Sequence, residues 1–177
     1  PFALGEPWLD TLTPTRQLNV AYLQFEVRRD GWRRRLRQRE LTDLEIERMR
    51  GRFAVTDRCS PELDDAFGAT LKRSLGNSIH GSVDVLVVDP LANIFDGNEN
   101  DNAEMAQFLR RLKRARDVLS PDAAIVLVHH TAKVGKDQRN EDPFATVRGA
   151  SGCAARGTAP CSSTASARRA QSATSNS

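Results

Sequence analysis

The 177 residues contain no C-x-x-C pair, no stretch of roughly 20 apolar residues, and no acidic residue after Asp142. Each absence excludes a class of protein. The three cysteines, Cys59, Cys153 and Cys161, have no histidine at metal-ligand spacing, which argues against a zinc site and against a disulfide framework. With no bilayer-length run and no signal peptide, the chain reads as soluble and intracellular, that is, cytoplasmic. Three of the 26 basic residues, Arg156, Arg168 and Arg169, lie in the acid-free tail, and the remaining 23 are matched by 23 acidic residues. The net charge of +3 is therefore a property of the tail and gives little ground for nucleic-acid binding by the folded part. From Gly152 onward the chain is almost all Ala, Ser, Thr, Arg and Gly, with no large apolar residue to bury. Residues 152–177 read as a low-complexity tail, either a natural disordered segment or an out-of-frame reading of a GC-rich gene. Residues 1–151 are enough for one domain with a core.

What is present is organised around Ser82-Val83-Asp84-Val85-Leu86-Val87-Val88-Asp89-Pro90-Leu91. A short apolar run rich in β-branched residues predicts a strand covered on both faces, as in a parallel sheet. Asp89 falls at its carboxyl end, where open α/β sheets place their ligands, and Pro90 ends the pairing. Such an acid can hold a magnesium ion, the Walker B arrangement, or it can merely cap a loop. Leu18 to Glu26 is a second run of the same type and also ends in an acid. Ala123 to Val128 is a third, and it ends in His129-His130-Thr131. The helix between the last two runs carries Met105, Phe108, Leu109, Leu112 and Leu119 inward. Asp101 and Glu104 form a capping box at its start, and Ser120-Pro121 breaks it. Strand, helix and strand make a βαβ unit whose two carboxyl ends bring Asp89 beside the histidine pair.

Four other stretches carry less. Arg28 to Arg39 holds seven arginines in twelve residues and opens a helix that runs to about Arg50. Trp32, Leu36, Leu41 and Leu44 form its apolar stripe. Its arginines make either a phosphate-binding face or, the favoured reading, a solvated face paired with Glu40, Glu45 and Glu47. Arg52 to Asp57 is a short strand. Ser60-Pro61 starts a helix whose stripe is Leu63, Ala66, Phe67, Thr70, Leu71 and Leu75. Gly76 to Ser82 has the spacing of a phosphate loop, but Ser82 stands where a lysine is needed and the segment precedes a strand instead of following one. No glycine pair in the sequence fits a Walker A motif.

The pieces in order are Val20-Ala21-Tyr22-Leu23-Gln24-Phe25-Glu26, Asp84 to Leu91, Asn98 to Met105, Val126 to Lys133, and Arg148-Gly149-Ala150-Ser151. Together they resemble the RecA-like ATPases of hexameric plasmid-replication helicases (the RepA type) and their AAA-family relatives, over residues 1–151. The resemblance implies an α/β fold with a mostly parallel RecA-like (P-loop NTPase) sheet flanked by helices, and it implies ATP and Mg²⁺ as cofactors. It implies that Glu26 orients the attacking water, that Asp89 holds Mg²⁺ through water, and that His129 or His130 senses the γ-phosphate. It implies that the loop with Lys133, Lys136 and Arg139 touches single-stranded DNA and that Arg148 reaches a neighbouring subunit's nucleotide in a homo-hexamer. Members of that family carry a phosphate loop before the strand that ends in Glu26. The chain is therefore expected to be a fragment lacking the first strand, the loop and its helix, inactive alone. Its sheet is expected to lack a central strand and to expose edges prone to self-association.

Two other readings stand beside the motor domain. One is a non-catalytic module of the same fold that binds DNA or a partner through Arg28 to Arg39 and the loop after His130. The other is a metal-dependent hydrolase using Asp89, His129 and His130 directly. The shortage of further ligands argues against the latter, because a protein metal cage needs three or more, whereas magnesium completed by phosphates needs fewer.

Overall fold

The strand-forming runs Val20–Gln24 (β1), Phe53–Val55 (β2), Val85–Asp89 (β3) and Ala124–Leu127 (β4) build one sheet in the order β2-β1-β3-β4. Every neighbouring pair is parallel. The structure is a computed structural model, and it describes residues 1–8, 12–56, 62–99 and 101–129. Four helices connect and flank the strands: Arg29–Gln38 (α1), Asp43–Met49 (α2), Phe67–Leu75 (α3) and Asn102–Leu119 (α4). The α/β class and the parallel sheet are as the sequence predicts, and β3-α4-β4 is the expected βαβ unit with its strands as direct neighbours.

The strand period of two sorts side chains between two faces. Ala21, Leu23, Leu86 and Val88 face α3 and α4 and meet Phe67, Leu71, Leu75, Met105, Phe108 and Leu112 in the main core. Leu86, Val88 and Met105 have no exposed surface. Each such side chain contributes about 1.5–3 kcal/mol by leaving water. The α4 stripe is as predicted, with Ala115 added and Leu109 only partly buried. Gly68 lets α3 come close to α4, since a Cβ there would lie 2.6 Å from the Ala115 carbonyl oxygen. On the other face Val20, Val85 and Val87 pack with Ala3, aided by Phe2, Leu18, Tyr22, Met49, Phe53 and Val126. Neither α1 nor α2 buries a residue, and Leu44 of α2 is 66% exposed.

Several expectations need correction. The single helix over 28–50 is two helices. Glu40 takes a positive φ of 51°, and Thr42 then caps α2 in a full capping box with Glu45. The Thr42-x-x-Glu45 spacing was the available signal. The helix placed from Ser60 begins at Phe67; Ser60 and Pro61 lie outside the described residues. Asp101 caps α4 by accepting from the Ala103 and Glu104 amides, but the Glu104 carboxylate accepts from the Asn98 amide, so the reciprocal half of the box is absent. β4 is half-buried, with Ala124 exposed. The four strands pair in series, and the outer sides of both β2 and β4 have no strand partner among the described residues. Gly76 to Ser82 links α3 to the start of β3, so it lies at the amino ends of the strands, away from Asp89.

Candidate functional site

Register carries the acids to one edge. Gln24 pairs with Asp89 at the last step of the β1–β3 ladder, and the Phe25 amide donates to the Asp89 carbonyl at 3.1 Å. Val88 pairs with Leu127. The Val128 amide donates to the Val88 carbonyl at 2.9 Å, and the Leu91 amide donates to the Val128 carbonyl at 2.8 Å. Glu26, Asp89 and His129 thus follow three adjacent strand ends, β1, β3 and β4. The carboxyl edge of a parallel sheet is the ligand edge of such folds.

The Asp89 carboxylate accepts a hydrogen bond from the Tyr22 hydroxyl through Oδ2. Burial pushes the Tyr22 hydroxyl well above its ordinary pKa, and the hydrogen bond to Asp89 and its negative charge add to this. Trp32 of α1 packs edge-on against Tyr22 with ring centroids 5.1 Å apart, and the Arg35 guanidinium lies 5.9 Å over the Trp32 ring. A row of contacts therefore leads from the arginine helix to Asp89. Glu26 is exposed, and Gln24 fixes the turn that presents it. The Gln24 side chain is 2% exposed. Its Nε2 donates to the carbonyls of Val27 at 2.6 Å and Thr56 at 2.9 Å, and its Oε1 accepts from the Val27 amide at 2.7 Å. Tyr22 and Gln24 were read in the sequence only as strand residues. Their signal was two polar groups two residues apart in an otherwise apolar buried strand.

His129 lies beside this edge with both ring nitrogens buried and without a hydrogen-bond partner among the described residues. His130, Lys133, Lys136, Arg139 and Arg148 lie outside the described residues, as do the three cysteines.

Among the described residues no group of three His, Cys, Asp or Glu side chains could cage a metal by itself. Mg²⁺ is a hard ion that takes one or two carboxylates and keeps most of its water. Asp89 would hold it through water, with Glu26 on the next strand end.

A family model of the AAA domain matches residues 2–136. The chain belongs to the AAA domain family. The match takes in β1 to β4 and with them Glu26, Asp89 and His129. Among solved structures, this AAA domain is similar to one described as an ATPase domain, with 12% identity and a TM-score of 0.49 over 77% of this chain and 55% of that one. The chain thus spans about half the length of that structure. No curated protein matches the sequence. Among the described residues no helix is long and apolar enough to cross a membrane.

Proposed function

We propose that this AAA domain is the ATP-binding and ATP-hydrolysing motor domain of a replicative-helicase-like ATPase of the plasmid RepA type, acting on single-stranded DNA in the cytoplasm as a homo-hexamer. The observation that carries this is the in-register pairing of β1 with β3, which sets Glu26 and Asp89 on neighbouring ends of one sheet edge. Mg²⁺, when bound, offsets phosphate charge and polarises the oxygens of the transferred group. Asp89 would hold it through water. The Tyr22 hydroxyl fixes one oxygen of that carboxylate. Glu26, on a turn clamped by Gln24, orients the attacking water. His129 or His130 senses the γ-phosphate and couples it to Lys133, Lys136 and Arg139 on the DNA-contacting loop, and Arg148 reaches the neighbouring subunit's nucleotide. Residues 1–151 form the motor core, 152–177 are the tail, and the 177 residues by themselves do not turn over ATP. In the intact protein Glu26→Gln lowers Mg-ATP hydrolysis by roughly 10²- to 10⁴-fold, the usual worth of a positioned base, with melting unchanged. Hydrolysis at the parent rate in that variant would exclude Glu26 from the role.

One observation favours a second reading, a non-catalytic DNA- or partner-binding module. Of the arginines between 28 and 50, Arg50 pairs with Glu47 at 3.2 Å, whereas those of α1 meet neither Glu40, Glu45 nor Glu47. Arg33 meets Asp30 and Arg39 meets Glu6, both pairs being exposed, while Arg28, Arg29, Arg34 and Arg37 have no ion pair among the described residues. DNA binding that ignores nucleotide and is lost when Arg33, Arg34 and Arg35 become Glu would support that module.

A further inference from the structure

The end of β1 is held from both sides. Toward β3, the Phe25 amide donates to the Asp89 carbonyl at 3.1 Å. Toward β2, the paired register stops at Tyr22 and Val55, and the Thr56 amide donates to the Tyr22 carbonyl at 3.0 Å. Beyond that register the Thr56 side chain takes over from the backbone. Its Oγ1 accepts from the Gln24 amide at 3.0 Å and donates to the Gln24 carbonyl at 3.2 Å. The Thr56 carbonyl accepts from Gln24 Nε2 at 2.9 Å. One residue at the end of β2 therefore fixes both the backbone and the side chain of Gln24.

The rest of the Gln24 side chain engages the turn that follows. Oε1 accepts from the Val27 amide at 2.7 Å, and Nε2 donates to the Val27 carbonyl at 2.6 Å as well as to Thr56. Both donors and the acceptor of this buried amide are thus in use. A buried amide costs stability unless it is so satisfied, and an apolar side chain would carry no such cost. What the amide supplies is geometry. Its bonds close the chain from Gln24 to Val27 into a fixed turn, and Glu26 sits exposed within that turn. We infer that Thr56 is a positioning residue for Glu26, acting through Gln24 and not by touching substrate. The inference rests on the reading of Glu26 as the group that orients the attacking water. A misplacement of about 1 Å in such a group can cost roughly 100-fold in rate, so a hydroxyl that sets the turn matters to the chemistry from a distance.

The test is steady-state Mg-ATP hydrolysis by the intact protein. Thr56→Val keeps the shape of the side chain and removes the hydroxyl. It is expected to lower kcat by roughly 10- to 100-fold with KM for ATP unchanged and with the circular dichroism of the parent. Thr56→Ser, which keeps the hydroxyl, retains the parent rate. Gln24→Met reproduces the kcat loss. The readout that separates positioning from mere support is the dependence on Glu26: added to Glu26→Gln, Thr56→Val costs nothing further. A measurement on the unaltered 177-residue chain serves if a variant does not fold. There the Val27 amide, bonded to Gln24 Oε1, resists hydrogen exchange. Full kcat in Thr56→Val, with hydrolysis impaired in Glu26→Gln, would overturn this inference alone. Hydrolysis at the parent rate in Glu26→Gln would overturn the reading of Glu26 and this inference with it. An equal loss from Thr56→Val in both backgrounds would make Thr56 a support of the fold and overturn its role toward Glu26. A Val27 amide that exchanges like an open loop would also overturn it, because the turn would then be unclamped.

Discussion

The two faces of the sheet are built to different standards. Toward α3 and α4, apolar side chains from all four strands and both helices close into a core with several members wholly out of water. Toward α1 and α2, the buried apolar residues among those described are Ala3, Val20, Val85 and Val87, each still 5–8% exposed, and the covering helices contribute no buried residue. The thinner face also holds the polar chemistry: Tyr22 against Asp89, Trp32 against Tyr22, and the arginine helix outside them. One face supplies stability, and the other gives up packing in order to place charged and hydrogen-bonding groups near the strand ends. Proteins commonly place function on such weakly packed parts.

The largest expected contrast is in the core. Met105→Ala removes a wholly buried side chain and costs about 2–5 kcal/mol in denaturant unfolding. Leu44→Ala on α2 stays within about 0.5 kcal/mol, because that leucine is already mostly in water. Equal losses would erase the distinction between the faces. Next is Gly68→Ala. The added methyl meets the backbone of Ala115, which cannot rotate away, so a loss of about 1–3 kcal/mol is expected in the same measurement.

A smaller effect is read at the amino end of β3. Arg16, just before the strand-entry residues Leu18 and Asn19, holds Asp84 through two bonds of 2.9 and 2.6 Å, and the Asn19 amide adds a third at 2.7 Å. The arginine hydrogen bond holds the Asp84 carboxyl below its usual range, against the opposing effect of burial. Asp84 therefore binds a proton more readily in the unfolded chain. Its contribution is complete above about pH 4, the ordinary carboxylate value, and is lost as pH falls through the lower folded value. Thermal melts across that acid range are expected to fall less steeply in Asp84→Asn.

The smallest effect is read at Tyr22, the only tyrosine in the chain. Its folded pKa is raised, so its contribution to stability is complete below about pH 10 and is lost as pH rises through the folded value. Near-ultraviolet absorbance of tyrosinate follows this one group. Its midpoint is expected well above that of free tyrosine and lower in Asp89→Asn, though not ordinary, since burial is the larger cause.

Much of this was legible in the sequence, for a physical reason. Strands buried on both faces must be apolar along their whole length, so the runs ending at Glu26, Asp89 and His129 announced themselves, and parallel pairing then brought their ends together. What escaped depends on distance in space. The pairing of Tyr22 with Asp89 follows from register, and that of Arg39 with Glu6 spans 33 positions of sequence. The break between α1 and α2 was local and readable from Thr42 and Glu45, but the continuous charge pattern concealed it. An open cavity at Glu62 to Asp65 and Asp96 arises where two separate connections meet, which no single stretch displays.

The central claim is that the thin-face strand end at Asp89, and not the acidic cavity under α3 and α4, holds the magnesium ion. The direct measurement is the Mg²⁺ dependence of ATP hydrolysis in the intact protein, compared among the parent, Asp89→Asn and Asp65→Asn. The account predicts that Asp89→Asn raises the Mg²⁺ needed for half-maximal rate by roughly 10- to 100-fold, as for a group acting on a metal through water, and that Asp65→Asn leaves it unchanged. A shift in Asp65→Asn with none in Asp89→Asn would contradict the account and move the site to the cavity.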